Sequence, residues 1–263
     1  MSITVRDLRT YKAQGRRFAM LTAYDYPTAQ ILDEAGIPVL LVGDSLAQTI
    51  LGYDTTIPVT MDEMLHHTRA VARGAKNALI VGDMPFLSYQ VSLEEGVSNA
   101  GRFLKEGGAH AVKVEGWMPE LTEHLSSRGI PVMAHLGLTP QSVHAMGGYR
   151  VQGRSEEDAH RLLEQAMGME KAGAFSLVLE GIPSDLGRGI TEALEIPTIG
   201  IGAGPGCDGQ VLVLTDLLGM ASGHYPKFAK PYANLREEIT RAVTAYARDV
   251  EGGRFPDEEH SYH

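Results

Sequence analysis

The chain has 263 residues, of which 43% are hydrophobic and 21% are charged. That length is ordinary for a single α/β barrel, and the hydrophobic fraction is enough for a large core, which excludes a disordered chain. The formal net charge of −10 argues against a general nucleic-acid-binding protein, although a local basic pocket could still hold an anionic ligand.

The sequence has no feature of a membrane-spanning or secreted protein. Its most apolar stretch, residues 39–52, is too short to cross a bilayer and is interrupted by Asp44 and Gln48. The N-terminus lacks the long apolar core of a secretory signal. Cys207 has no second cysteine with which to form an internal disulfide, so a reducing cytoplasm is the expected location.

Short apolar runs alternate with segments of helical periodicity along the chain. Such runs are typical of buried parallel strands. Strands are predicted at 18–25, 39–44, 78–83, 111–115, 131–135, 176–180, 197–202 and, more weakly, 210–216. Helices are predicted at 61–77, 92–107, 155–173 and 232–250, with capping boxes beginning at Ser92 and Ser155.

This alternation predicts an α/β fold, a closed (β/α)₈ TIM barrel. Eight strands with intervening helices favour a barrel over an open doubly wound sheet. A short helix before residue 18 is expected to cover the bottom of the barrel. Because no linker rich in Pro, Gly or Ser divides the chain, a single barrel domain is predicted over residues 1–263.

Charged or polar residues end most of the predicted inner strands. A charge at the end of a buried strand costs desolvation unless another group compensates it. The carboxyl ends of barrel strands meet at one face, where barrel enzymes have their active sites, so a shared site is predicted. Its candidate residues are Asp44, Asp83, Lys113, Glu115, His135 and Glu180.

The carboxylates of Asp44, Asp83 and Glu115 follow consecutive strands and predict a metal site. Neighbouring anions repel one another, so the group requires bound protons or a cation. Oxygen ligands favour Mg²⁺, with Mn²⁺ or Co²⁺ as substitutes. Zinc bound by His135 is disfavoured, because no second histidine ends a strand. Each carboxylate alone could instead be a cap or an ion-pair partner.

Three further residues suggest catalytic roles beside the metal. Lys113 lies two residues from Glu115 on one strand, so both side chains point to the same face. They form either a plain ion pair or a metal ligand beside a cation that holds a substrate carboxylate. His135 is ambiguous by itself. Glu180 ends a strongly apolar run far along the chain from the other carboxylates, which suits a general base.

Two glycine-rich segments have less specific interpretations. Residues 200–206 resemble a phosphate cradle but lack the Lys-Ser/Thr of a P-loop and the spacing of a dinucleotide fingerprint, so they are interpreted as allowing close backbone approach to a ligand. Residues 146–154 form either a lid over the site or a mobile connection.

Several stretches together closely resemble the ketopantoate hydroxymethyltransferase family. They run in order over nearly the whole chain and include LTAYD (21–25), LVGDS (41–45), GDMPFLSYQ (82–90), KEGGAHAVKVEG (105–116), HLGLTPQ (135–141), GGYRVQG (147–153) and PKFAKPYANL (226–235). The chain departs from the family pattern at Trp117, where a second glycine is usual. That departure replaces no functional residue and concerns only the shape of a loop.

The resemblance implies a fold and an activity. The family has a (β/α)₈ barrel related to the phosphoenolpyruvate/pyruvate enzymes and uses Mg²⁺. It transfers a hydroxymethyl group from 5,10-methylenetetrahydrofolate to 3-methyl-2-oxobutanoate, which gives 2-dehydropantoate and tetrahydrofolate in pantothenate biosynthesis. The family commonly assembles as a homodecamer of two pentameric rings.

The resemblance also assigns roles to residues. Metal contacts fall on Asp44, Asp83 and Glu115, and contacts to the 2-oxoacid fall on Asp44, Ser45, Asp83 and Lys113. The proton acceptor falls on Glu180, with His135 in support.

A common mechanism fits both the residue pattern and the family. A metal on the carbonyl oxygen stabilises an enolate, Lys113 adds charge near the carboxylate, and Glu180 takes the proton. Two alternatives remain open. One is a folate-independent, metal-dependent 2-oxoacid aldolase or lyase of the same barrel class. The other is a barrel that binds ligands without catalysis.

Overall fold

The computed structural model describes residues 2–221, 223 and 225–263. Contacts divide the chain into two compact units, Met1–Val213 and Leu214–His263. The first unit contains all the strands of the described chain. The assignment of the whole chain to one domain stays a prediction.

Eight parallel strands close into a barrel in chain order, which confirms the predicted fold. Each strand pairs with its sequence neighbours, and the last pairs with the first. The strands are β1 Phe18–Thr22, β2 Val39–Val42, β3 Leu79–Asp83, β4 Ala111–Glu115, β5 Val132–Gly137, β6 Ser176–Glu180, β7 Thr198–Ile201 and β8 Gly209–Leu212.

Helices follow the strands of the first unit in the predicted alternation. They are α1 Val5–Ala13, α2 Tyr26–Glu34, α3 Leu46–Thr49, α4 Met61–Gly74, α5 Leu93–Arg102, α6 Pro119–Ser126, α7 Glu156–Lys171 and α8 Ser184–Ala193. The side chains of Ser92 and Ser155 accept the expected backbone N–H groups, from Glu95 and Asp158. Each serine therefore fixes the start of its helix.

Alternate strand residues fill the barrel interior. Phe18, Met20, Val81, Met133 and Val178 belong to one buried apolar cluster. Leu8 and Tyr11 of α1 belong to the same cluster, so the N-terminal helix covers the bottom of the barrel as predicted. Burial of this apolar surface is the main force that holds the barrel closed.

The predicted helix over 92–107 is not one regular helix. It changes after Arg102 into a π-helical turn, Phe103–Gly107, and ends at Gly108 in the left-handed conformation. The ring of Phe103 occupies the space in which Gly82 of β3 would carry a β-carbon, only 2.3 Å away. The helix thus approaches the strand most closely at a glycine, a packing detail that helical periodicity does not contain.

The second unit contains α9 Leu214–Leu217 and α10 Leu235–Glu251. Asn234 accepts the backbone N–H of Glu237 and begins α10, close to the predicted start. No residue of α10 is buried, and Ile239, Val243 and Tyr246 are exposed on it at helical spacing. Within the described residues, no helix combines the length and the apolar character needed to cross a membrane.

We expect Asp33 to be a main polar support of the barrel wall. Its carboxylate, on α2, accepts the backbone N–H groups of Lys76, Asn77 and Ala78 and the side-chain amide of Asn77. Asp33→Ala would remove all four hydrogen bonds, including the one from the buried N–H of Ala78, and should lower the free energy of unfolding by about 2–4 kcal/mol. Urea unfolding measures this loss. Glu34→Ala, at an exposed position next to it, should cost less than about 0.5 kcal/mol.

The stability lost in Asp33→Ala should depend on pH. Burial acts to raise the pKa of Asp33, but its hydrogen bonds outweigh burial and lower that pKa. A lowered pKa in the folded state gives stability that is present above the unfolded pKa of about 3.9 and is lost as the pH falls through the folded value. The two proteins should therefore differ fully at pH 7, and the difference should shrink as the pH falls below the unfolded pKa. Equal stability at pH 7 would contradict this role.

Candidate active site

Six predicted polar residues lie together at the carboxyl end of the barrel. Strand register brings them into neighbouring positions: Asp83 pairs with Lys113, and Glu115 pairs with His135. Glu180 pairs with Gly137, two residues beyond His135. Asp44 lies two residues after β2, and its backbone N–H donates to Asp83 Oδ2 at 3.1 Å.

The three carboxylates form a compact buried triad. Asp44, Asp83 and Glu115 are 4%, 1% and 4% exposed, and oxygens of all three lie within 4.8 Å of one another. Lys113 Nζ lies 2.6 Å from Asp83 Oδ1 and 3.2 Å from Glu115 Oε1. One ammonium group therefore contacts two of the three anions.

The electrostatics of the triad leave Asp44 poorly compensated. Burial, followed by the negative charges of Asp83 and Glu115, raises the pKa of Asp44 well above its usual value. Burial also raises the pKa of Asp83, although Lys113 opposes it. Burial would raise the pKa of Glu115 too, but Lys113 and His135 lower it to about 2.

A divalent cation fits this donor set. Three buried carboxylates carry more negative charge than Lys113 alone neutralises, and the excess is greatest at Asp44. Burying such charge is costly unless a second positive charge shares the site. Oxygen-only donors at this spacing suit a hard ion such as Mg²⁺. Asp44, Asp83 and Glu115 are the residues that could hold it.

His135 lies between two carboxylates. Its Nδ1 is 3.2 Å from Glu115 Oε1, and its Nε2 is 3.3 Å from Glu180 Oε2; both are ion-pair contacts without hydrogen-bond alignment. Burial acts to lower the pKa of His135, but Glu115 and Glu180 raise it to about 9. At neutral pH this side chain is therefore a cation, suited to hold Glu180 rather than to accept a proton.

Glu180 and Ser45 border the triad on its more open side. The Glu180 side chain is 15% exposed, more than the 2% of Glu115 and His135. Ser45 precedes α3 and its hydroxyl is 3.0 Å from the hydroxyl of Tyr24. Both residues are therefore more accessible than the buried carboxylates of the triad.

Two residues of the site have no assigned role in the sequence prediction: Gln141 and Tyr89. Gln141 donates from Nε2 to Asp44 Oδ2 at 3.0 Å, and Tyr89 accepts the backbone N–H of Glu115 at 3.0 Å. Both lie within stretches that carry the family resemblance, GDMPFLSYQ and HLGLTPQ. The signal available in the sequence was that each is a polar residue within a matching stretch, outside the predicted strands.

Two glycines of the segment 200–206 pack against a helix, and the predicted close approach to a ligand stays a prediction. A β-carbon on Gly204 would lie 2.1 Å from Ser184 Oγ, and one on Gly206 would lie 2.7 Å from the Arg188 side chain. Both contacts are with α8, so these glycines let the loop lie against a helix. For the 146–154 segment, Gly147 and Gly148 have positive φ angles, and the choice between lid and connection stays open.

Trp117, the departure from the family pattern, packs on α7. A β-carbon on Gly168 would lie 2.2 Å from the indole ring, so the glycine provides the space that the tryptophan fills. The indole is nevertheless 45% exposed. The substitution changes packing beside β4 without placing a new group among the carboxylates.

Gly137 should be essential for placing Glu180. Its φ is +95°, and an added β-carbon would lie 2.3 Å from the Glu180 carbonyl oxygen. Gly137→Ala must therefore shift β6 at the candidate base, and a displacement of about 1 Å can cost about 100-fold in turnover. Steady-state kinetics measure this effect.

Gly129→Ala provides the matched control. Gly129 has a similar φ of +79° but nothing within 4 Å of an added β-carbon. Gly129→Ala should lower the free energy of unfolding by about 1 kcal/mol or more through backbone strain, and it should leave turnover unchanged. Equal turnover in the two variants would show that the contact with Glu180 has no catalytic consequence.

Sequence comparison connects this site to a known family. Residues 2–258 match the family model described as ketopantoate hydroxymethyltransferase. A 3-methyl-2-oxobutanoate hydroxymethyltransferase of Syntrophus aciditrophicus (strain SB) is 56% identical over 262 residues, which cover 99% of this chain and 96% of the relative. A protein of the same name from Geobacter metallireducens is 54% identical over 261 residues, 98% of each chain.

Solved structures of similar fold belong to barrel enzymes. A phosphonopyruvate hydrolase in complex with oxalate and Mg²⁺ superposes with a TM-score of 0.63 at 13% identity, over 98% of this chain and 93% of that one. A 2,3-dimethylmalate lyase of the PEP mutase/isocitrate lyase superfamily gives 0.61 at 16% identity, over 99% and 92%. At such low identity these similarities establish the fold alone, and they agree with the predicted phosphoenolpyruvate/pyruvate type of barrel.

Proposed function

The chain belongs to the ketopantoate hydroxymethyltransferase family, and on this premise we propose how its residues perform the family's reaction. The activity is that of a 3-methyl-2-oxobutanoate hydroxymethyltransferase, a transferase of pantothenate biosynthesis. The proposal concerns the metal, the one-carbon donor and the role of each residue. The observation that carries it is the buried triad of carboxylates, with Glu180 two strands farther round the barrel.

Asp44, Asp83 and Glu115 bind a divalent cation, Mg²⁺ by the chemistry of their oxygens. When bound, such an ion supplies a Lewis acid for the carbonyl oxygen of the 2-oxoacid. Lys113, already 2.6 Å from Asp83, adds positive charge near the substrate carboxylate. Asp44, Ser45 and Asp83 complete the contacts to the oxoacid. The uncompensated charge at Asp44 supports this assignment.

Glu180 removes the proton from C3 of 3-methyl-2-oxobutanoate. His135, as a cation 3.3 Å from Glu180 Oε2, holds the base in place. Water adds to the one-carbon unit of 5,10-methylenetetrahydrofolate as both of its C–N bonds break, which releases tetrahydrofolate and leaves that carbon at the oxidation level of formaldehyde. The enolate carbon attacks this carbon, and the proton taken from C3 neutralises the resulting alkoxide, which becomes the hydroxyl of 2-dehydropantoate. Both substrates must be oriented before proton removal, because the new bond forms at a fully substituted carbon.

The one-carbon donor is tested by supplying candidate donors one at a time. With 5,10-methylenetetrahydrofolate labelled in the methylene carbon, mass spectrometry should detect labelled 2-dehydropantoate. Product formed equally well from the oxoacid and a folate-free donor would favour the alternative aldolase or lyase. Binding of the oxoacid without any C3 proton release would favour a barrel that only binds ligands.

We also propose that the protein assembles as a homo-oligomer, a decamer if it follows its family. Its proposed location is the cytoplasm. The exposed apolar residues Ile239, Val243 and Tyr246 of α10 support the first proposal, since a surface of this kind is typical of a contact with another chain. The single buried Cys207 is consistent with a reducing compartment. Analytical ultracentrifugation would distinguish a decamer from a smaller assembly or a monomer.

A further inference from the structure

One glutamine beyond the strands contacts two of the three triad carboxylates. Gln141 lies just after β5, in the 3₁₀ turn Pro140–Ser142, and is 4% exposed. Its Nε2 donates to Asp44 Oδ2 at 3.0 Å, and its backbone N–H donates to Glu115 Oε2 at 3.0 Å. Gln141 therefore links residues that are 71 positions apart along the chain, Asp44 and Glu115, without being a ligand itself.

All hydrogen-bonding positions of the Gln141 amide are used. Nε2 also donates to the Met84 carbonyl oxygen at 2.9 Å. Oε1 accepts from the Tyr89 hydroxyl at 2.7 Å and from Gln90 Nε2 at 3.3 Å. An amide offers two donors and two acceptor positions, and here each one has a partner. Inverting the amide would turn its oxygen towards the Asp44 carboxylate, which is repulsive.

Tyr89 fixes this amide orientation. Its hydroxyl donates to Gln141 Oε1 and accepts the backbone N–H of Glu115 at 3.0 Å. The hydroxyl has one proton, and its nearer acceptor is Gln141 Oε1 at 2.7 Å, against 3.4 Å for the Glu115 carbonyl oxygen, so that proton lies towards Gln141. Tyr89, Gln141 and Glu115 thus form a closed ring of hydrogen bonds, completed by the Gln141 N–H on Glu115 Oε2.

We propose that Gln141, with its amide oriented by Tyr89, is a positioning residue for the cation site. It holds Asp44 and Glu115 by one oxygen each, against the mutual repulsion of the triad, so that the site is preformed before a cation arrives. Groups that hold metal ligands in this way typically contribute 10- to 100-fold in metal affinity. This inference rests on the metal site of the proposed function.

The test is the affinity for Mn²⁺, a spectroscopic substitute for Mg²⁺, measured by electron paramagnetic resonance on the full-length protein. Gln141→Met keeps the size of the side chain and removes the amide; it should weaken Mn²⁺ binding by about 10- to 100-fold. Tyr89→Phe removes the donor that holds the amide oxygen in place, so the amide donates less firmly to Asp44 and binding should weaken by about 10-fold. Because both act through one amide, the double variant should bind within about two-fold of Gln141→Met.

Gln90→Met is the matched control. Gln90 contacts the same Oε1 at the longer distance of 3.3 Å, while Tyr89 still directs its proton to that oxygen. Its Mn²⁺ affinity should stay within about three-fold of the wild type, since one weak contact to an already oriented amide is lost. A larger loss than that of Tyr89→Phe would contradict the role given to Tyr89.

The outcomes separate this inference from the proposed function. If the wild-type protein binds no Mn²⁺, the metal site of the proposed function fails. If the wild type binds Mn²⁺ and both Gln141→Met and Tyr89→Phe bind equally tightly, only the positioning role fails. If Gln141→Met does not fold, Tyr89→Phe decides, because Tyr89 contacts neither carboxylate group of Asp44 or Glu115. If the loss of Mn²⁺ affinity in the double variant equals the product of the two single losses, the two residues act independently. That result would overturn the coupling through one amide.

Discussion

Glu180→Gln should lower the rate of C3 proton exchange by about two to four orders of magnitude, the usual contribution of a positioned general base. Enolisation and one-carbon transfer are separable steps, and only the first needs the base. In deuterated water with Mg²⁺ but without folate, the wild-type enzyme should exchange the C3 hydrogen of 3-methyl-2-oxobutanoate, which proton NMR detects. Glutamine has the size of glutamate but cannot accept the proton at neutral pH.

Binding of the 2-oxoacid should survive this substitution, because the proposed function assigns it to Lys113 and the cation site and not to Glu180. Trp117, the single tryptophan of the chain, lies two residues beyond Glu115 and offers a fluorescence signal for that binding. Glu192→Gln makes the same chemical change at an exposed position of α8 and should leave exchange within about two-fold of wild type.

His135 is the competing candidate for the base. The structure argues against it, because the flanking carboxylates raise its pKa to about 9 and make it a cation at neutral pH. His135→Asn should therefore slow exchange by about 10-fold through loss of orientation, less than Glu180→Gln does. Exchange near the wild-type rate in Glu180→Gln, with exchange abolished in His135→Asn, would make His135 the base.

The barrel and its polar strand ends could be predicted from the sequence because both follow from local pattern. A buried parallel strand is a short apolar run, and a charge such as Asp83 or Glu180 stands out at its end. The clustering of these residues then needs no further information, since the carboxyl ends of neighbouring parallel strands must meet at one face. The proximity of Asp44, Asp83 and Glu115 follows from this geometry together with the order of the strands.

The remaining features depend on contacts between distant segments. Nothing in the periodicity around Gln141 indicates an amide that contacts Asp44, because that contact arises only when the loop after β5 crosses towards β2. The same holds for Phe103 over Gly82, and for Gly204 and Gly206 against α8. A glycine-rich run has the same composition whether a ligand or a helix approaches it, so the sequence alone could not decide between them.

Removing the charge of Asp44 should separate metal binding from folding. Asp44→Asn takes away the least compensated negative charge of the triad, while its amide oxygen can still accept the Gln141 N–H. Without metal the variant should unfold at a higher temperature than the wild type, since less repulsion is buried. Its turnover should fall by about 10³-fold or more, because the carbonyl oxygen loses the electrostatic help that such sites supply.

Differential scanning fluorimetry with increasing Mg²⁺ gives the second measurement. A cation that binds only the folded state stabilises it by about 2.7 kcal/mol at a concentration of 100 times its Kd. Mg²⁺ should therefore raise the wild-type melting temperature. In Asp44→Asn that rise should be absent or require far higher Mg²⁺. After chelation, wild-type turnover should vanish and return when Mg²⁺ is restored, with no change in secondary structure.

Asp83→Asn is the matched comparison, because the same chemical change meets a different partner. Asp83 accepts from Lys113 Nζ and from the backbone N–H of Asp44, so an amide group there must turn its NH₂ towards one of these two donors. Turnover should be lost in this variant as well, but its metal-free melting temperature should fall below that of Asp44→Asn. Full activity of the chelated wild-type enzyme would contradict the role of the metal in polarising the carbonyl. The triad would then be a structural ion-pair network around Lys113.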